Sequence, residues 1–453
     1  MDTVTQRYLS FLEATRFERF PEEVVRQSKR SILDTLGVGI AASANPTIRK
    51  LLTDYLSEIG GLTKSTIIRL GIKTSAPEAA FCNGILCHYL DYDDINWVYT
   101  AHFSTVVVPA ILAIGETLRS TGKDVLTAYI ASHEITCKIG RAIVEDGDHY
   151  KRGWHSTGTL GTFSSALATA KLMNLDASQA DNMLGIAAGE ASGLKINFGT
   201  MAKAFQAGHA SRNGIVAAIL SSKGMTAATS AIERQHGYCD VTSTFYDQDR
   251  LNDELGINWE ILHPQKGVIF KLYPVLGGGD GIIDSIIDLA RKSDVDPAEV
   301  ARVTCTICKE TAASLTQGNP RTPLEGKFSI PFWIAAALTD REVSISQFTN
   351  EKINDPLVLD IMNRVKIQCS TEMKLEDGVN VEVVLKNGKK YAKKTWPPRG
   401  APDNPPSEDE LTAKFKNCAR YGGLGEKEIQ KVIDFTLTLE ELDDICEITK
   451  LVS

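Results

Sequence analysis

From residue 5 to roughly residue 260, apolar positions recur three and four apart, the spacing of a single helix face. Ile32, Leu33, Leu36 and Ile40 form such a stripe inside a helical stretch at 5–43, which Asn45 and Pro46 stop. The same periodicity predicts helices at 48–59, from Ser75-Ala76-Pro77 to 90, and at 106–118, 125–144, 159–175, 178–190, 205–224 and 227–235. STIIRL at 65–70 reads as a short strand or extended link. After residue 262 the texture changes. Alternating patterns at 267–272, 300–308, 365–369, 379–385 and 391–394 predict strands, with Asn387-Gly388 as a hairpin turn. Helical patterns at 282–291 and 328–338 lie among them. A proline-rich link then leads back to helix at 407, opened by SEDE in the manner of a capping box. The pattern predicts a mainly α protein: a large helical domain made of 1–262 and 403–453, with an α+β domain at 263–402 inserted into it.

Composition narrows the possible partners. The 453 residues carry a net charge of −8, which argues against a nucleic-acid surface and leaves room for a local basic pocket. No run approaches the ~18 uninterrupted apolar residues of a membrane span. The charged, helical N-terminal stretch lacks a signal-peptide pattern. Nine scattered cysteines, an odd number, fit a reducing compartment better than a disulfide framework. The expectation is a cytoplasmic protein with a small-molecule partner, no nucleic acid and no membrane.

Residues 153–214 hold the most chemistry. The segment is dense in Gly, Ala, Ser and Thr, so its helices can pack closely, yet it contains His155 and Lys203. A titratable group among small apolar residues is costly unless paired or used. His155 lies in GWHSTG, a glycine-bracketed turn before a helix, where free N–H groups suit carboxylates and disfavour a protonated imidazole. The alternative is a capping turn with an incidental histidine, and a Lys203 that snorkels to solvent. Residues 83–104 gather His88, Asp91, Asp93, Asp94 and His102, the usual general acids and bases, or else a solvated helix end. Their spacing matches no metal-ligand motif, so no metal is expected. KLYPVLGGGDG at 271–281 runs a strand through glycines into a helix, which can offer N–H groups to an anion or serve as a plain turn. It is neither a dinucleotide fingerprint nor a P-loop. Cys305 and Cys308 form an isolated CxxC within a predicted strand, unsuited to metal or redox use.

Taken together, SILDTLGVGIAAS (31–43), NGILCHYLDYDD (83–94), HFSTVVVPAILA (102–113), GWHSTGTLGTFSSALATAKLMNLD (153–176), GTMAKAFQAGHASRNG (199–214), KLYP (271–274) and NPRTPLEGKFS (319–329) resemble the MmgE/PrpD family. That family includes 2-methylcitrate dehydratases and cis-aconitate decarboxylases. The resemblance implies a helical domain with an inserted α+β lid, a homodimer, and a site between the domains that uses no cofactor. It implies pocket residues Asp91, His102, His155, Lys203 and Lys271. The sequence departs from the family pattern at Leu276 and Asp280, where many members have cysteine or histidine and histidine, and at Ile95, a threonine in the decarboxylase.

The expected chemistry is proton traffic at a carbon next to a carboxylate, with the enediolate-like state stabilised by positive charge. His155, Lys203, His102 and Asp91 are the expected catalytic groups, with His102 held by Asp91 as the acid. Lys271, Tyr273, Gly278, Gly279 and Asp280 are the expected substrate-binding groups. The leading expectation is a cofactor-independent lyase on a di- or tricarboxylate, dehydrating in the manner of a 2-methylcitrate dehydratase. Decarboxylation, epimerisation or isomerisation, and an inactive binding protein are the rival readings.

Overall fold

The computed structural model of the chain describes residues 3–313, 318, 320–374 and 377–453. Asn319, which opens the last family-like segment, lies outside them. The chain forms two compact units, one built from residues up to Phe270 together with Ser407–Ser453, the other from Lys271–Pro406.

The first unit is helical. Its helices include α1 (Val4–Ala14), α2 (Glu22–Ala42), α3 (Pro46–Ile59), α4 (Ala76–Tyr89), α5 (Ser104–Leu118), α6 (Gly122–Gly140), α7 (Ser156–Met173), α8 (Ala177–Glu190) and α9 (Met201–Ser222). The stretch predicted as continuous helix from 5 to 43 is broken, because Pro21, which has no N–H to donate, caps a new start at α2. Residues 227–235 are turns rather than helix. Their backbone is captured from outside: Ala227 N–H donates to Asn182 Oδ1 at 2.8 Å and Ser230 N–H to Asp181 Oδ1 at 2.9 Å. The strand expected at 267–272 shrinks to Val268–Ile269, paired antiparallel with Ile95–Asn96.

Small residues set the helix spacing. A Cβ on Gly84 of α4 would stand 2.7 Å from Gly208 Cα of α9, and one on Gly208 would stand 2.3 Å from Phe81 O. One on Gly214 of α9 would stand 2.4 Å from Ala166 N of α7. The helices therefore touch backbone to backbone, closer than any side chain permits.

The second unit is α+β. Strands β1 (Val300–Cys308), β2 (Val365–Ser370), β3 (Val379–Leu385) and β4 (Lys390–Thr395) make one sheet in the order β2-β1-β3-β4. The β1/β2 pair is parallel and the other pairs are antiparallel. Helices α10 (Asp280–Lys292) and α11 (Ile330–Asp340) pack with the sheet residues Val303, Cys305, Ile307, Val381 and Val383 in one core. The alternation of β1 leaves Arg302, Thr304 and Thr306 on the opposite face.

The chain then rejoins the first unit through α12 (Glu408–Tyr421), which packs on α2. Buried Lys414 makes that return specific: its Nζ lies 2.6 Å from Asp34 Oδ1 and donates to Tyr92 O at 2.7 Å. The fold is mainly α, with an α+β domain inserted. Among the described residues no helix is long and apolar enough to cross a membrane.

Candidate active site

Three helix ends meet in the first unit: the end of α4, the start of α7 and the first turn of α9. Asp91, just past α4, adopts a left-handed backbone with φ +51°. That conformation is uncommon outside glycine and tends to mark functional or strained positions. Its Oδ2 accepts a 2.6 Å bond from Lys203 Nζ, and both side chains are buried. A buried pair of this kind is costly to desolvate and costly to break.

His102 belongs to the same cluster but has a nearer partner than the expected Asp91. Its Nδ1 lies 2.9 Å from Asp93 Oδ2, while its Nε2 is 3.8 Å from Asp91 Oδ1. Asp91 is engaged by Lys203 instead. The His102 backbone is fixed by its N–H donating to Thr157 Oγ1 of α7 at 3.0 Å. Asp93 also lies 3.0 Å from His88 Nδ1, so one carboxylate joins two imidazoles whose ring centroids are 4.5 Å apart. Burial alone would raise the Asp93 pKa, but His88 and His102 hold it well below the usual carboxylate range. The third acid of the run points elsewhere. Asp94 accepts from Ser104 Oγ at 2.8 Å, and burial together with Asp34 pushes its pKa up to about 8.

His155 caps α7 with extended backbone, and its ring is buried. Its Nδ1 lies 2.6 Å from Gln206 Oε1, one face stacks 6.0 Å from His88, and Phe198 meets it edge-on at 4.9 Å. The Lys203 ammonium lies 5.3 Å from the same Phe198 ring. Burial, then His88 and Lys203, lower the His155 pKa well below the ordinary range, so the ring is neutral at physiological pH. Charge-based sequence reading passes over Gln206 and Phe198, which do not titrate. The available signal for Gln206 is its place one turn after Lys203 on α9.

The structure thus brings Asp91, His102, His155 and Lys203 together, with His88, Asp93 and Gln206 added. Among the described residues, His88, Asp93 and His102 are also a set whose donor atoms, all within 4.8 Å of one another, could hold a metal ion.

The other expected residues lie in the second unit. Lys271 is buried at its start. Tyr273 donates its hydroxyl to Asp284 Oδ1 at 2.7 Å. Gly278 has φ +95° at the turn into α10, and Gly279 packs so tightly on Trp333 that a Cβ would come within 2.7 Å of the ring. Asp280 opens α10, buried, with Oδ1 accepting no hydrogen bond among the described residues. Burial and Asp284 push its pKa up to about 7, against the pull of Lys271.

A neutral imidazole, an imidazole flanked by carboxylates and an ion-paired lysine meet on a helical domain whose chain carries an inserted α+β domain. The chain belongs to the MmgE/PrpD family: residues 6–250 match the MmgE/PrpD N-terminal domain and residues 273–439 the MmgE/PrpD C-terminal domain. It is similar to the cis-aconitate decarboxylase of Mus musculus, 24% identical over 100% of this chain and 93% of the relative. The Homo sapiens cis-aconitate decarboxylase is 24% identical over 100% of this chain and 95% of the relative. That of Aspergillus terreus (strain NIH 2624 / FGSC A1156) is 26% identical over 96% and 92%.

Proposed function

We propose that the protein is a lyase acting on a di- or tricarboxylate, and that it removes a hydroxyl by first taking a proton from the carbon beside a carboxylate. The observation that carries this reading is the pairing of two imidazoles in opposite electrostatic settings. His155 is neutral beside a cation, whereas His102 lies 2.9 Å from one carboxylate and 3.8 Å from another. Groups whose environments differ in this way divide naturally into base and acid. His155 accepts the carbon-bound proton. Negative charge develops on the substrate carboxylate and is met by Lys203. His102 protonates the departing hydroxyl, which leaves as water, and Asp93 balances the charge on the ring. Lys271, Tyr273, the N–H groups of Gly278 and Gly279, and Asp280 are proposed to bind the rest of the substrate. The scheme uses no cofactor, and chelator treatment is expected to leave turnover unchanged.

Decarboxylation is the second reading, favoured by the relatives, which are cis-aconitate decarboxylases. It needs a cation for the developing charge and one proton donor, both of which the same cluster offers. Incubating the protein with citrate, 2-methylcitrate and cis-aconitate in D2O under proton NMR separates the readings. Loss of hydroxyl supports dehydration, loss of carbon dioxide supports decarboxylation, and deuterium exchange without net loss supports epimerisation. No change with any acid counts against a lyase.

We also propose a homodimer. Leu194, Ile196, Met201 and Phe205 are 49%, 85%, 42% and 45% exposed over a short stretch, an apolar patch that a second copy would cover. Ile196→Asp is expected to convert the dimer to monomer in light scattering. A wild type that is monomeric at micromolar concentration would refute this.

A further inference from the structure

An imidazole works as a base only when one ring nitrogen is kept free of its proton, and groups outside the ring decide which one. For His155 the deciding group is Gln206. The amide Nε2 of Gln206 donates to Leu194 O at 3.0 Å. An amide nitrogen donates and an amide oxygen accepts, so this bond fixes which way round the amide stands. Its Oε1, 2.6 Å from His155 Nδ1, is then able only to accept, and Nδ1 must carry the hydrogen. The lone pair is left on Nε2.

The arrangement is held from several sides. His155 N–H donates to Gly193 O at 3.0 Å, and Trp154 bridges to Leu194, the residue that orients the amide. A Cβ on Gly193 would stand 3.2 Å from Gln206 Oε1, and one on Gly158 would stand 3.4 Å from Gln206 Cβ. Gln206 is 5% exposed, so water does not compete readily for its amide. The charged and titratable groups facing the ring are His88 from α4, His102 from the loop before α5 and Lys203 from α9, and each opposes a second proton on it. A neutral amide is therefore the fitting acceptor. A carboxylate in its place would raise the ring's affinity for that second proton.

We infer that Gln206 is a positioning residue that locks His155 in the Nδ1–H tautomer and so makes Nε2 the proton-accepting atom. The inference rests on the reading of His155 as the base, yet the tautomer is measurable without any substrate. The test is long-range proton–nitrogen NMR on the full chain labelled with 15N-histidine. The chain has eight histidines, and the His155 signal is assigned by its loss in His155→Gln. In the wild type at pH 7, Nδ1 should be protonated and Nε2 bare. In Gln206→Glu, Nδ1 should stay protonated, because a carboxylate only accepts, and the acid limb of kcat/KM should move up by about 1–3 pH units, the usual effect of an adjacent opposite charge. In Gln206→Met the Nδ1–H signature should give way to a mixture of tautomers, with kcat falling and KM little changed. Wild-type protein in the Nε2–H form, or Gln206→Met keeping the wild-type signature, would overturn the inference. If Gln206→Met does not fold by circular dichroism, Gln206→Glu, equal in size and shape, decides alone: a His155 in the Nε2–H form, or one whose NMR titration does not move beside the new carboxylate, overturns it. If the tautomer is as inferred but His155→Gln turns over the acid at the wild-type rate, Gln206 still sets the tautomer and the base reading is what fails.

Discussion

Gly208→Ala tests whether the site depends on how closely two helices approach. The added methyl would sit 2.3 Å from Phe81 O and 2.7 Å from Ile85 Cγ1, both on α4. An ordinary carbon–oxygen contact needs about 3.3 Å, so α4 and α9 must part by about 1 Å. Overpacking of this sort costs about 1–3 kcal/mol, and alanine's better helix propensity returns about 0.5–1 kcal/mol. The net loss of stability should be about 1–2 kcal/mol, within reach of a urea titration. The larger effect should fall on turnover. The α9 helix brings Lys203 and Gln206 to the site and α4 brings His88 and Asp91, with key contacts of 2.6 Å. A displacement of about 1 Å in such a constellation costs on the order of 100-fold in rate. Gly189→Ala is the control, since a Cβ there meets nothing within 4 Å, and it should be neutral or slightly stabilising. If Gly208→Ala keeps kcat within about twofold of wild type, the close helix contact does not set the site's geometry and the reasoning fails.

Lys203→Ala should lower kcat by about 100-fold or more with circular dichroism unchanged, by analogy with losing one oxyanion donor; near wild-type turnover would remove Lys203 from the mechanism. Lys414→Met should cost about 3–5 kcal/mol in chemical denaturation, because it leaves Asp34 buried without its cation, and adding Asp34→Leu should recover most of the loss. Asp94 has a folded pKa raised to about 8, so it contributes stability that is fully present below the unfolded carboxylate pKa and is lost as pH rises toward 8. Across pH 5–7 the wild type should therefore lose about 1.4 kcal/mol per pH unit relative to Asp94→Asn, and parallel stability curves would refute a protonated Asp94.

Periodicity in the sequence was enough to outline the helices of the first unit and the sheet of the second, because burial of one face writes itself into spacing. The density of glycine and alanine across 153–214 likewise announced the tight packing that Gly208 and Gly214 show. Spacing does not report pairing. Asp91, Asp93 and Asp94 are near neighbours in one short run, yet they face a lysine, two histidines and a serine respectively. The assignment depends on the φ of +51° at Asp91, which swings that side chain toward α9, and on the loop that returns His102 beside Asp93. Gln206 was passed over for a different reason. Its contribution lies in the direction of one hydrogen bond, and only a partner 51 positions away reveals it. At 227–235 the apolar pattern was real, but Asp181 and Asn182 supply the acceptors that a helix would have provided.

The return of the chain into the first unit sets a timetable for synthesis. Lys414 is 322 positions downstream of the Tyr92 carbonyl it anchors. At ribosomal rates of about 5–20 residues per second, the loop bearing Asp91 and Asp93 waits roughly 15–65 s for that brace. Throughout this interval the α2 surface destined for α12 is uncovered, and Asp34 sits in it without its lysine. The nascent helical unit must therefore persist as an incomplete intermediate while an entire second unit emerges from the ribosome. Holdase chaperones that mask apolar helix faces should find their binding window there, and slowed translation across the inserted segment should lengthen it.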